Sequence, residues 1–193
     1  MIFTRTGIPD VIIIEPKLHG DDRGYFIETF RQDKLDEFLG FKINFIQDNE
    51  SKSDRGVLRG LHYQLAPAAQ TKLVRVIQGS VLDIAVDIRK GSSTFGQYVA
   101  IELSAKNKKQ LLIPRGFAHG FVVLEDDTVF AYKVDNYYSP ENDRGIAFDD
   151  AVLGIDWGVN TSNSQLSQKD KVQPLLQQLG VENLFDFNVN YYD

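Results

Sequence analysis

The stretch "TKLVRVIQGSVLDIAVDI", residues 71–88, decides the fold class. Apolar residues alternate with polar or small ones on both sides of Gly79-Ser80, which is the period of a strand and not of a helix. The Gly-Ser pair between the two runs predicts a tight hairpin. In the second run Leu82, Ile84, Val86 and Ile88 share one face, and Val81, Asp83, Ala85 and Asp87 share the other. A face that mixes acids with small apolar residues either lines a ligand cavity or faces water. Position alone favours water.

Working outward, similar runs recur along the chain: "DVIIIEP", "GYFIETF", "INFIQDN", "VLRGLHYQ", "QYVAIEL", "QLLIP", "HGFVVLE" and "TVFAYKVDNYY" all read as strands. Two segments read as helices. "RQDKLDEFLG" (31–40) ends in a glycine suited to a C-cap, and "SQKDKVQPLLQQLG" (167–180) begins at a serine N-cap and also ends in glycine. There is no repeat, low-complexity tract or linker, so residues 1–193 form one domain. About ten short strands in one domain predict an all-β sandwich or barrel, with a few short helices at its periphery.

Composition narrows the function. Apolar residues make up 42% and charged residues 25%, a globular balance, and the net charge is −6. That sign does not suit a long nucleic acid, although one local basic pocket can still hold a small anion. The chain has no cysteine, which excludes disulfides, thiolate metal sites and a cysteine nucleophile and fits the cytoplasm. The apolar run Val11 to Ile14 is too short for a signal-peptide core, and no run approaches the ~18 residues of a membrane span.

Three histidines are present, and His62 lies in the strand "GVLRGLHYQ" (56–64). It is read as a core histidine, a metal ligand or a catalytic base. A metal-binding cupin strand would carry His-x-His, and here the sequence is His62-Tyr63-Gln64. The box "PRGFAH" (114–119) has the Pro-x-Gly-x-x-His spacing of the cupin superfamily. The chain therefore resembles a cupin jelly roll that lacks part of the metal set, and a metal would have to be held by His62, His119 and a carboxylate such as Asp83. Without metal, an imidazole can act as a base if a carboxylate on Nδ1 fixes its tautomer; many aspartates qualify. Among the cations Arg23, Arg59, Lys72, Arg75, Arg115 and Lys169, Arg59 stands inside an otherwise uncharged strand, as an anion-binding arginine would. Arg59 and His62 are three apart, which on a flat strand sends them to opposite faces. A bulge, or service to two different subunits' sites, would resolve this. No phosphate-loop, dinucleotide or serine-nucleophile motif is present.

Seven blocks, in order, carry a further resemblance: "DDRGYFIETF" (21–30), "FIQDNESKSDRGVLRGLHYQ" (45–64), "QTKLVRVIQGSVLDIAVDIRKGSSTFG" (70–96), "IPRGFAHGFVVLE" (113–125), "YKVDNYYSPENDRGIAFDD" (132–150), "GIDW" (154–157) and "LSQKD" (166–170). In them the chain resembles the dTDP-4-dehydrorhamnose 3,5-epimerases. The resemblance implies a cupin-type jelly roll, a homodimer, a dTDP-4-keto-6-deoxyhexose substrate, inversion at C3 and C5, and no metal or other cofactor. His62 matches the family's base and Asp170 the carboxylate paired with it. Lys72 matches the lysine at the ketone oxygen and Tyr132 the acid. Arg23 and Arg59 match diphosphate contacts, Lys169 a lysine of the nucleotide site, and Phe26, Glu28, Gln47, Asn49 and Tyr138 positions around the nucleotide; His119 matches a histidine near the sugar. The "DxRGxFxE" segment is expected to cross to the partner's site. One position departs: in "SPENDRGI" the acid before Arg144 is Asp143 where the family pattern has glutamate. The shorter reach leaves either a water or Glu141 to complete a contact with the nucleotide. Relatives that invert only C3 or C5 keep the His–Asp pair, so a single-centre epimerase is the alternative.

Overall fold

The two runs around Gly79 are both strands, but they do not pair with each other. The structure is a computed structural model and describes residues 1–192. Strands β1 (Ile2–Arg5), β2 (Ile12–Glu15), β3 (Leu18–Asp21) and β4 (Gly24–Ile27) precede the helix α1 (Gln32–Leu39). They are followed by β5 (Gln47–Ser53), β6 (Leu58–Gln64), β7 (Lys72–Gln78), β8 (Ser80–Asp87), β9 (Arg89–Lys90), β10 (Tyr98–Ser104), β11 (Gln110–Ile113), β12 (Phe117–Val123) and β13 (Thr128–Val134). β14 (Asp143–Gly145) and β15 (Phe185–Asp186) complete the set. One sheet has the order β1-β2-β11-β7-β13-β5 and the other β10-β8-β12-β6-β14. Every neighbouring pair within these two sheets is antiparallel, as a cupin-type jelly-roll sandwich requires.

β7 belongs to the first sheet and β8 to the second, so the predicted hairpin at Gly79-Ser80 is instead a corner between layers. Gly79 has φ of 77°, and a Cβ there would lie 2.2 Å from Thr128 Oγ1. Only glycine fits. The corner lets Val74 and Val76 of β7 meet Val81 and Ala85 of β8 across one core, which Leu103, Leu111, Phe121 and Phe130 also fill.

The outer faces are covered as well. α1 forms where predicted, ends at Gly40 with φ of 80°, and buries Leu35 against Ile12, Ile14, Leu73 and Leu112 of the first sheet. The chain after β14 drapes Ile146, Leu153, Trp157, Leu176 and Phe185 over the second sheet, against Leu58, Leu61, Ile84 and Val122. This covering explains why β8 is buried on both faces. Its acidic face, expected to be wet, points into the sandwich, and Asp83 and Asp87 are both fully buried.

The helix predicted over 167–180 does not form. Pro174 lies in its middle, and proline can neither donate to nor fit under the preceding helical turn. Two short 3-10 turns, Asp170–Val172 and Leu176–Gln178, flank it instead, and the Pro174 carbonyl accepts from Ala147 N at 2.8 Å. In "INFIQDN" the strand begins only at Gln47, because Ile43 and Phe45 turn away to pack beside α1. No helix of the described residues is long and apolar enough to cross a membrane.

Candidate active site

Strand parity selects the side chains that face inward between the sheets. On β7 the inward set Lys72, Val74 and Val76 begins with a lysine; on β13 the set Phe130, Tyr132 and Val134 carries a tyrosine. On β12 the inward set is Phe117, His119, Phe121 and Val123. On β6 parity breaks. His119 pairs with His62, and Phe121, two residues on, pairs with Arg59, three residues back. β6 thus holds one extra residue, a bulge at Gly60-Leu61 that brings Arg59 and His62 to the same face. Gly60 has φ of 125° and approaches so closely that a Cβ would lie 2.5 Å from Gly120 Cα. The question of opposite faces is answered within one chain: Arg59 and His62 line one cavity.

That cavity has two lobes. The deeper, about 230 Å³, is lined by Arg59, His62, Lys72, His119, Tyr132 and Asp170, with Phe121 and Phe130 as an apolar wall. The outer, about 190 Å³, shares His62, Lys72 and Tyr132 and adds Tyr138, Asp143, Lys169 and Gln70. Nine of the fourteen residues singled out from the sequence therefore line one continuous space: His62, Tyr132, Asp170, Lys72, Arg59, His119, Tyr138, Asp143 and Lys169.

His62 lies 2.5 Å from Asp170 Oδ1 through Nε2. The carboxylate thus meets Nε2 and not Nδ1, and Nδ1 has no hydrogen-bond partner among the described residues. Asp170 is itself fixed: Ser167 Oγ donates to its Oδ2 at 2.8 Å and accepts from its backbone N at 3.1 Å. Burial pushes the Asp170 carboxyl up, but the bonds from His62 and Ser167 outweigh it and leave it below the ordinary value, so it stays ionised. With an anion at Nε2, that nitrogen keeps its proton and Nδ1 keeps a free lone pair.

Lys72 Nζ reaches the His62 carbonyl at 3.3 Å. Burial brings its pKa down to about 8, against the opposing pull of Asp143 and Asp83. Burial raises the Tyr132 phenol, which keeps it protonated. At the mouth Asp143 accepts from Tyr138 Oη at 3.0 Å and is bonded to Lys169. The shorter acid at 143 therefore still reaches the site, whereas Glu141 does not line it. Arg59 is exposed and among the described residues donates only to Ser53 Oγ, at 2.9 and 3.3 Å, which leaves donors for an anion.

Five expected residues lie elsewhere. Gln47 and Asn49 are on β5, which lends Glu50 and Ser51 to the cavity but not these two; they are bonded to each other at 2.8 Å, with Asn49 directly opposite Tyr132 in the ladder. Arg23 and Phe26 sit on the exposed β3–β4 hairpin and Glu28 just after it. Arg23 is bonded to Asp21 and Glu28 to Arg31, and Phe26 is 67% exposed. Sequence reasoning missed Ser167 as the group that holds Asp170, although it stands in the quoted "LSQKD" block. It also gave Asp83 only a metal-ligand role. His119 Nε2 is 2.9 and 3.1 Å from the two Asp83 oxygens, and among the described residues no three His, Asp or Glu side chains converge as a metal site.

The family model for dTDP-4-dehydrorhamnose 3,5-epimerase matches residues 5–178. The dTDP-4-dehydrorhamnose 3,5-epimerase of Shigella flexneri is 57% identical over 86% of this chain and 91% of its own length. The Salmonella typhimurium enzyme of the same name is 53% identical over 92% and 97%. The crystal structure of dTDP-6-deoxy-D-glucose-3,5-epimerase from Legionella pneumophila, in complex with dTDP-4-keto-L-rhamnose, superposes with a TM-score of 0.93 at 48% identity over 97% of this chain and 99% of that one. The bulged strand, the His–Asp pair and the facing tyrosine thus stand in a scaffold shared along almost its whole length, and the chain belongs to the dTDP-4-dehydrorhamnose 3,5-epimerase family.

Proposed function

We propose that this isomerase inverts C3 and C5 of dTDP-4-keto-6-deoxy-D-glucose with His62 as base, Lys72 as enolate stabiliser and Tyr132 as acid. The observation that carries this reading is the placement of His62 and Tyr132 on opposite sheets of one cavity, with Lys72 lining both of its lobes. The protons at C3 and C5 flank the C4 ketone, so removing either gives an enolate. His62 Nδ1 takes the proton, and the ionised Asp170 at Nε2 stabilises the imidazolium that results. The Lys72 ammonium stands against the negative charge that develops on O4. Tyr132 returns a proton from the opposite face, which is what inversion requires. Arg59 in one lobe and Lys169 in the other suit the diphosphate.

The exposed hairpin supports a dimer with shared sites. It carries Arg23 and Phe26, with Glu28 beyond it, and displays Leu18, Tyr25 and Phe26 to solvent, away from its own cavity. In a homodimer these residues complete the partner's nucleotide site. The cysteine-free chain is compatible with a cytoplasmic location.

The test is turnover of dTDP-4-keto-6-deoxy-D-glucose in D2O, with the product trapped by a rhamnose-forming reductase. Deuterium at both C3 and C5 of an inverted product is expected. Label at one carbon alone would reassign the chain to single-centre epimerisation, and no label from folded protein would overturn the role of His62.

A further inference from the structure

β8 buries two aspartates on its inward face, and they are used differently. Asp87 accepts from Arg89, Ser92 and Thr94, and so builds the turn that follows the strand. Asp83 does nothing of the kind. It is 0% exposed, and its only hydrogen-bond partner among the described residues is His119 Nε2, at 2.9 and 3.1 Å. Desolvating a carboxyl group in such a place is costly. Nothing in the strand ladder needs it, because β8 is already paired on both sides by backbone. Its one hydrogen-bonded role among the described residues is to hold a cavity-wall imidazole.

That imidazole is well placed. His119 is the ladder partner of His62 and lines the deep lobe with His62, Lys72 and Tyr132. Its ring lies nearly parallel to Phe130, 21° between planes at 6.2 Å. Its Nδ1 has no partner among the described residues. The charged and titratable groups lining the space around it are His62, Lys72, Tyr132, Arg59, Glu50 and Asp170. Burial lowers the His119 pKa and raises that of Asp83, against their mutual attraction, so the pair resists charge separation.

We infer that Asp83 is a positioning residue for the reaction: by pinning His119 through Nε2 it holds Nδ1 against an oxygen of the hexose and fixes the ring's angle to His62. The inference rests on the proposed epimerase reading. Arg59 and Lys169, neither of them bonded to this pair, are the groups proposed to grip the nucleotide, so affinity is set by residues other than Asp83. Sugar orientation is set by it, and misorientation is felt in the chemical step.

The test is a double-mutant cycle with Asp83→Asn, His119→Asn and the pair, in the full-length protein, reading kcat, KM and the Kd of dTDP, which carries no sugar. Asp83→Asn is expected to lower kcat about tenfold or more while the Kd of dTDP stays within about twofold. Asp83 also pulls on the charge of Lys72, so the cycle is read well below pH 8, where Lys72 is a cation; there the double variant should be no slower than His119→Asn alone, because the one hydrogen bond of Asp83 among the described residues is to that ring. Additive losses, a parallel loss of dTDP binding, or full kcat in Asp83→Asn would each overturn the inference. Independently of any variant, wild-type protein with labelled histidine nitrogens should show a slowly exchanging proton in the hydrogen bond between His119 Nε2 and Asp83, whichever of the two carries it. A proton averaged with bulk water would overturn the pin. Wild-type protein without turnover would sink the epimerase reading and this inference with it, whereas an active wild type with an equally active Asp83→Asn sinks this inference alone.

Discussion

The two histidine–aspartate pairs of the cavity stand side by side across β6 and β12 and differ in almost everything else. His62 is 30% exposed, and its carboxylate arrives from a turn 108 residues further along the chain. His119 is 8% exposed, and its carboxylate comes from the neighbouring strand. Burial favours the neutral form of the inner pair, while Asp170 stays ionised next to His62. A base must gain and shed a proton in every cycle, so it needs an open edge and an anion that tolerates its charge. A wall group needs a fixed angle. The difference teaches that a His–Asp contact by itself does not name a role; access and the charge of the carboxylate do.

Four experiments would break or sharpen that contrast. The largest effect belongs to His62→Asn, which should cut kcat by on the order of 10² to 10⁴ and stop solvent exchange at C3 and C5 in mass-detected D2O assays. Comparable loss from His119→Asn would erase the distinction between the pairs. Next, Asp170→Asn should lower kcat by roughly 10² or more, since the amide can present its N–H to Nε2 and move the ring proton to the edge that must accept. Loss of activity with an unchanged far-UV spectrum is the expected reading. Third, Tyr132→Phe should slow product formation by about 10² yet leave exchange at the base's face measurable; full turnover would remove the tyrosine as acid. The smallest effect is in pH. Lys72 sits near 8, so it is a cation below that value and loses its proton above it. The rate should be about half its plateau near pH 8, levelling only about a unit below that and falling above it, while replacement by arginine, which stays charged, should abolish that alkaline limb whatever it does to the plateau.

Much of this was legible in the chain. Alternation named most strands, and "LRGLHYQ" marked β6 with its histidine. What parity could not give was a change of parity: the extra residue at Gly60-Leu61 leaves no mark in an alternating pattern, and only the pairing of Arg59 with Phe121 reveals it. Gly79-Ser80 has the composition of a hairpin, but turn residues fix a local bend and not which sheet the next strand joins. Asp83 and Asp87 looked wet because one strand cannot announce what will be laid over its other face; here the tail from Ile146 to Phe185 covers it and sends the acids inward. The false helix at 167–180 is different, since Pro174 was in plain view and its cost to a helix interior outweighs a good N-cap. Of the five residues absent from the cavity, Arg23 and Phe26 lie on one hairpin and Glu28 just after it, so the placement of a single element accounts for those three together.

The bulge in β6 has one more consequence. It works as a frame shift within a single strand: Arg59 before it and His62 after it belong to two different combs of side chains, brought into phase by one inserted unit. Spacing is therefore constrained more tightly than identity across this segment. Removing Gly60 or Leu61 would leave every other letter of the strand in place and still turn the guanidinium toward the layer of Leu153 and Trp157, separating anion grip from proton transfer without touching either group.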